Sequence, residues 1–247
     1  MNIKQYLDST YLKTATQASL SESENTAVIE GFIQEAIQEG FKLIMIRPDK
    51  VAFAKQMVVD AKSVLAVGTV IDFPEGRGGL QKKLDEATQA IDDGADELDF
   101  VCDYEAFKAG NIEMVKKEII ECTKLGLSHL KTVKWIIEVA ALDNLEIARL
   151  SALIKNVVFT NSPEEHYNSV FVKSSTGFYK TQNNLPNGAT IPAVIIMLEN
   201  ASPLPVKAAG GVRTYEEAVE MINFGVKRIG TSGAKAIADG GISSGGY

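Results

Sequence analysis

The chain has 247 residues, 45% of them hydrophobic and 23% charged, which is enough apolar material for a full core and is typical of one barrel-sized domain. Its net charge of −7 argues against a nucleic-acid or acidic-membrane surface, since both want a basic face, but leaves a small anionic ligand open because a pocket needs only local positive potential. Two cysteines and two histidines exclude a disulfide framework and supply a zinc site or a histidine-based triad poorly.

The start, Met1-Asn2-Ile3-Lys4-Gln5, carries no signal core, and no apolar run reaches membrane-spanning length, so a cytoplasmic location is expected. Tyr6-Leu7-Asp8-Ser9-Thr10-Tyr11-Leu12 reads as a strand with an aspartate inside it. Residues 24–39 place Val28, Ile29, Phe32, Ile33 and Ile37 at helical spacing and end at Gly40. A buried strand over 43–46 stops at Arg47-Pro48, a helix covers 49–61, and a β-branched run over 64–73 closes at Pro74-Glu75-Gly76. Further along come a helix over 79–92 that stops at Gly94, a strand over 97–101, and a helix over 111–125 capped by Gly126. The second half predicts strands over 130–137, 170–173, 204–208 and 228–230, with helices over 143–155, 190–200 and 214–224 and a short one from Ser232. Residues 157–167 fit poorly: Val157-Val158-Phe159 suggests a small extra strand, and the polar remainder a loop.

Eight apolar strands alternating with amphipathic helices imply a parallel sheet covered by helices. Eight units in this length favour a single-domain (β/α)8 TIM barrel over an open doubly wound sheet. No G-x-G-x-x-G follows the first strand to support the alternative. A single domain over 1–247 is expected, with a flexible tail from about residue 239.

A barrel interior is otherwise filled by branched apolar side chains, so polar residues on its strands call for explanation. They are Asp8, Asp99, Lys134, Lys173 and Lys207. Taken alone, Lys173 in Phe171-Val172-Lys173-Ser174 reads first as a strand-end lysine reaching into water, and each of the others as readily as a structural ion pair. If all five point inwards, two carboxylates face three amines and one amine lacks its own counter-ion. Neighbouring ammonium groups and burial lower a lysine pKa, and a neutral amine can condense with a carbonyl to give a Schiff base. Thr176 and Gly177 after one strand, Gly210 and Gly211 after the next, and Gly230-Thr231-Ser232-Gly233 after the last supply N–H and hydroxyl groups where barrels often bind phosphate.

Val172-Lys173-Ser174-Ser175-Thr176-Gly177-Phe178 and Val206-Lys207-Ala208-Ala209-Gly210-Gly211-Val212-Arg213-Thr214 resemble deoxyribose-phosphate aldolases. So do Leu7-Asp8-Ser9-Thr10, Gly94-Ala95-Asp96-Glu97-Leu98-Asp99 and Lys134-Trp135-Ile136-Ile137-Glu138, in the same order. The resemblance implies a class I aldolase, free of metal and cofactor, that reversibly splits 2-deoxy-D-ribose 5-phosphate into glyceraldehyde 3-phosphate and acetaldehyde. It implies that Lys173 is the Schiff-base lysine, that Lys207 perturbs it and that Asp99 assists proton transfer. Asp8 and Lys134 would support them, and Tyr247 would join in proton transfer from the tail. Gly177, Gly210, Gly211 and Ser232 match phosphate-contacting positions. Partners would be the phosphorylated sugar and acetaldehyde, with no nucleic acid or membrane, and a homodimer is expected by analogy.

The chain departs from the pattern at Met45, where many relatives carry cysteine, and at Phe178 and Gly233, which replace polar residues that help hold the phosphate in some members. Segment 157–169 also differs from the usual lead-in. Two other readings keep the same residues: a lysine-dependent barrel aldolase or transaldolase for a different sugar phosphate, and a non-catalytic phosphosugar-binding barrel.

Overall fold

In the computed structural model, which describes residues 1–182 and 185–243, eight parallel strands close into a barrel in sequence order. The strands are β1 (Leu7–Thr10), β2 (Leu43–Ile46), β3 (Ala66–Ile71), β4 (Glu97–Val101), β5 (Thr132–Ile136), β6 (Val170–Lys173), β7 (Val206–Ala209) and β8 (Arg228–Thr231). Alternate side chains of a strand face opposite ways. In β2, Ile44 and Ile46 therefore join the large core against the helices, whereas Leu43 and Met45 cluster with Leu12 and Val70 inside the barrel. The first strand is shorter than residues 6–12, because a 3-10 turn over Ile3–Tyr6 precedes it.

The helices are α1 (Ala15–Ala18), α2 (Glu22–Glu39), α3 (Val51–Asp60), α4 (Gly79–Asp92), α5 (Tyr104–Lys108), α6 (Ile112–Ser128), α7 (Asn144–Asn161), α8 (Ile191–Ala201), α9 (Tyr215–Phe224) and α10 (Ala234–Ala238). Their ends follow local chemistry. Ser21 and Glu24 form a capping box that satisfies the free N–H groups at the start of α2, and Gly40 at φ +65° ends it. The buried face of α2, with Ile29 and Ile33, packs on the barrel, each side chain contributing roughly 1.5–3 kcal/mol.

Two expectations require correction. Val157-Val158-Phe159 is not an extra strand but the last turns of α7, which runs to Asn161. Val157 and Val158 continue the apolar stripe of Leu150 and Ile154 into the core, and that burial outweighs their β-branched preference. Glu164–Ser169 then forms a 3-10 turn leading into β6. Gly126 does not cap α6, which continues to Ser128. It is a buried helical residue whose missing Cβ lets the helix approach Val133 of β5.

Beyond α10, Ile242 forms an antiparallel bridge with Thr214, and Ser243 N–H donates to the Arg213 carbonyl at 2.8 Å. Tyr247 lies outside the described residues. Among the described residues no helix is long and apolar enough to cross a membrane.

Candidate active site

The polar residues expected on the strands converge inside the barrel. Asp8 (β1), Asp99 (β4), Lys134 (β5), Lys173 (β6) and Lys207 (β7) are all buried, four of them completely and Lys173 at 3% exposure. Register explains the convergence: Asp99 sits opposite Lys134, and Lys173 opposite Lys207, on hydrogen-bonded neighbours. Two further buried residues, Glu97 and Arg228, belong to the same network but were not among the five read from the sequence. Parity could have found Glu97, since it lies two residues before Asp99 and so on the same face of β4. Arg228, at the start of β8, carries no comparable signal.

The ion pairs form a closed ring of alternating charge. Arg228 pairs with Asp8, whose Oδ2 lies 2.6 Å from Lys207 Nζ. Lys207 reaches Asp99 Oδ2 at 3.1 Å, and Asp99 Oδ1 accepts from Lys134 Nζ at 2.6 Å. Lys134 lies 2.5 Å from Glu97, and Glu97 closes the ring on Arg228 at 3.1 Å. Every ring cation has two carboxylates and every ring carboxylate two cations, so the ring is neutral without Lys173. Lys173 hangs from it through one contact, Nζ donating to Asp99 Oδ2 at 2.8 Å. It is the surplus charge.

That position sets the acidities. Burial, together with the charges of Lys207 and Lys134, lowers the Lys173 ammonium to about 8, against the pull of Asp99. Lys207 is equally buried, yet Asp8 and Asp99 raise its pKa above the ordinary lysine value, so it stays charged. Burial alone would raise the Asp99 carboxyl, but Lys134, Lys173 and Lys207 hold it well below the usual range. The same opposition, with Arg228 and Lys207 as the cations, lowers Asp8.

A buried surplus cation is costly to the fold. With a folded pKa of about 8 against 10.5 ordinarily, Lys173 gives up its proton earlier in the folded chain than in the unfolded one. Stability therefore rises with pH between those values, and below about 8 the penalty is fully present. Lys173→Met is predicted to stabilise the protein at pH 7 by about 1–3 kcal/mol in urea unfolding. A destabilised variant would show that Lys173 carries no net penalty.

The loop after β6 is anchored by Glu138, another residue the sequence reading gave no role. At the end of β5 its backbone turns to φ +54°, which brings a buried carboxylate under the loop. Glu138 accepts from Ser175 Oγ at 2.7 Å, from Thr176 N–H at 3.1 Å and from Thr176 Oγ1. Burial raises its pKa despite these donors. Gly177 (φ +79°) follows, and Asn187 Nδ2 donates to its carbonyl at 3.1 Å.

Gly210 and Gly211 adopt φ +75° and +87° after β7, as a tight strand-to-helix turn demands. A Cβ on Gly188 would lie 2.5 Å from Gly210 backbone, so the loops after β6 and β7 touch. Gly230 lies within β8 beside Asp8, and Ser232 and Gly233 follow at the rim. The Ser243 side chain occupies the space where a Gly233 side chain would stand.

Phe73 and Phe178 pack against the cluster of Leu12, Leu43, Met45 and Val70. Met45 is fully buried there. Its thioether cannot form a thiolate, so Met45→Cys is predicted to inactivate faster in concentrated acetaldehyde, whose self-condensation yields a thiol-reactive unsaturated aldehyde. Equal inactivation half-lives would remove any protective role for Met45.

A parallel barrel with a depressed-pKa lysine at the C-terminal end of one strand, beside a carboxylate, is the arrangement of a lysine-dependent aldolase. The chain matches the sequence model of the DeoC/LacD family aldolases over residues 5–245. It is 37% identical to the deoxyribose-phosphate aldolase of Thermococcus gammatolerans, over 97% of this chain and 96% of the relative. With the deoxyribose-phosphate aldolase of Thermococcus kodakarensis it shares 36% identity over 96% of both chains. The structure superposes on the deoxyribose phosphate aldolase of Aeropyrum pernix with a TM-score of 0.76 at 27% identity, covering 96% of this chain and 89% of that one. The chain belongs to the DeoC/LacD aldolase family. It is an enzyme of the lyase class.

Proposed function

We propose that this aldolase reversibly cleaves 2-deoxy-D-ribose 5-phosphate into D-glyceraldehyde 3-phosphate and acetaldehyde through a Schiff base on Lys173. The observation that carries the reading is the neutral ring with Lys173 as its surplus amine. Binding a phosphosugar alone would need no such amine. The substrate follows from what the curated relatives are named for.

In the cleavage direction the neutral Lys173 amine adds to the C1 aldehyde of the open-chain sugar, and loss of water leaves a protonated imine. Loss of the proton on the C3 hydroxyl sends the C2–C3 electron pair into the imine, which releases glyceraldehyde 3-phosphate and leaves an enamine. The enamine takes a proton at C2, and hydrolysis frees acetaldehyde and the amine. Asp99 is assigned to proton transfer because it touches Lys173 directly and is held ionised by Lys134, Lys173 and Lys207. Lys207 keeps its charge and holds the Lys173 pKa down, while Asp8 and Lys134 hold Lys207 and Asp99 in place. Tyr247 is assigned, by resemblance, to proton transfer from the tail. Backbone N–H groups at Gly210 and Gly211, with the hydroxyl of Ser232, are assigned to the phosphate. Thr176, Gly177 and Gly233 shape that cradle by donating within it, to Glu138, Ser175 Oγ and Thr231 Oγ1, and Gly230 keeps its base open.

No step calls for a metal or cofactor. Self-association belongs to the same reading: the Aeropyrum pernix neighbour is described as tetrameric, and this chain is expected at least to pair, which light scattering measures. Incubation with 2-deoxyribose 5-phosphate tests the activity. Stoichiometric acetaldehyde and glyceraldehyde 3-phosphate are expected. Turnover of ketose phosphates alone would assign the chain to another sugar phosphate.

A further inference from the structure

The phosphate cradle has a gap in its chemistry. Its residues are glycines and hydroxyl-bearing side chains, which offer dipoles but no full positive charge. Lys235, near Ser232, is committed to Glu39 at 2.5 Å and to Asp239 at 3.3 Å. Lys180 and Arg213 are exposed, where a charge–phosphate contact is weakened by solvent and salt. A sugar phosphate close to a dianion would normally be met by a partly buried cation.

Arg47 is such a cation. It follows β2 with extended backbone (φ −68°, ψ +153°), so strand alternation puts it on the same side as Leu43 and Met45, which face the barrel interior. The side chain is half-buried, and burial lowers its pKa against the opposing charge of Asp49. Nε donates to the Leu12 carbonyl at 2.8 Å. The guanidinium lies over Phe73, 5.0 Å from the ring centroid, and 5.9 Å from that of Phe178. Aromatic faces hold a guanidinium flat and leave its in-plane N–H groups for a planar or tetrahedral anion.

One of those nitrogens makes a 3.5 Å contact to Gln17. Among the described residues no carboxylate forms an ion pair with Arg47, and its neighbour Asp49 is turned to Lys50 at 3.5 Å. Phe178, which the guanidinium touches, directly follows Thr176-Gly177 in the loop leaving Lys173. The charge therefore stands at the rim of the loop expected to hold the substrate.

We propose that Arg47, pinned by the Leu12 carbonyl and flanked by Phe73 and Phe178, binds the phosphate of the substrate and sets the preference for phosphorylated over free aldehydes. This rests on the aldolase reading above. Phe178 then serves the grip by positioning a guanidinium from β2, instead of contacting the anion itself.

The test compares kcat/KM for 2-deoxyribose 5-phosphate and for 2-deoxyribose in the wild type, Arg47→Met and Arg47→Lys. Losing a charge-assisted contact should cost Arg47→Met roughly 10- to 100-fold on the phosphorylated sugar, mainly in KM, with 2-deoxyribose changed less than about twofold. Arg47→Lys should recover much of the loss, and inhibition by inorganic phosphate should weaken in Arg47→Met. Equal losses on both sugars would reduce Arg47 to a pin for the Leu12 carbonyl and overturn the proposal, as would an unchanged ratio. Borohydride trapping of acetaldehyde on Lys173, run on the same samples, keeps the two readings apart. Adduct with an unchanged ratio rejects Arg47 alone, whereas no adduct in the wild type rejects the aldolase reading itself.

Discussion

Lys173→Leu is expected to reduce turnover by on the order of 10^4-fold or more, since no other amine in the network can take its place. Lys134 and Lys207 each lie between two carboxylates as members of the ring. Removing Lys173 leaves that ring intact, so the variant should fold and melt cooperatively. Steady-state cleavage of 2-deoxyribose 5-phosphate checks the loss, and near-UV circular dichroism checks the fold. A variant that kept a tenth of wild-type activity would move the chemistry elsewhere.

Lys207→Leu is the second large effect, and it reaches the amine indirectly. The substitution opens the ring and leaves Asp8 and Asp99 each short of one cation. Lys173 then faces a more negative Asp99 and one fewer ammonium neighbour, so its pKa rises from about 8. At pH 7 the neutral fraction falls below the wild type's roughly one in ten, and imine formation should slow by about 10-fold or more. Because the amine reacts when deprotonated, the rate should climb with pH through about 8 in the wild type and through a higher midpoint in the variant. A merely structural role would lower the rate without moving the midpoint.

Much of this site was legible before any coordinates, for a physical reason. A barrel strand buried on both faces reads as continuous apolar sequence, so Asp8, Asp99, Lys134, Lys173 and Lys207 stand out as exceptions. Counting them gave one amine too many, and the surplus survives once Glu97 and Arg228 add one charge of each sign. Those two stayed hidden because a charge at the start of a strand looks like one on the surface.

Local preference misled where burial decided the outcome. Val157-Val158-Phe159 is β-prone by residue type, but its spacing from Ile154 extends the buried stripe of α7. Gly126 looked like a helix stop, yet it is a point where α6 packs close against Val133 of β5. Glu138 and Arg47 gave no periodic signal, since a left-handed turn sets one and two aromatic rings from distant loops set the other.

The surplus-amine mechanism is tested most directly by reducing the protein with borohydride in the presence of acetaldehyde and mapping the modified peptide by mass spectrometry. A single N-ethyl group on Lys173 is expected, formed faster at pH 8 than at pH 6 and absent from Lys134 and Lys207. Modification of Lys207 or Lys134 instead, or of no lysine in the network, would contradict the assignment of Lys173 as the amine that the ring leaves unpaired.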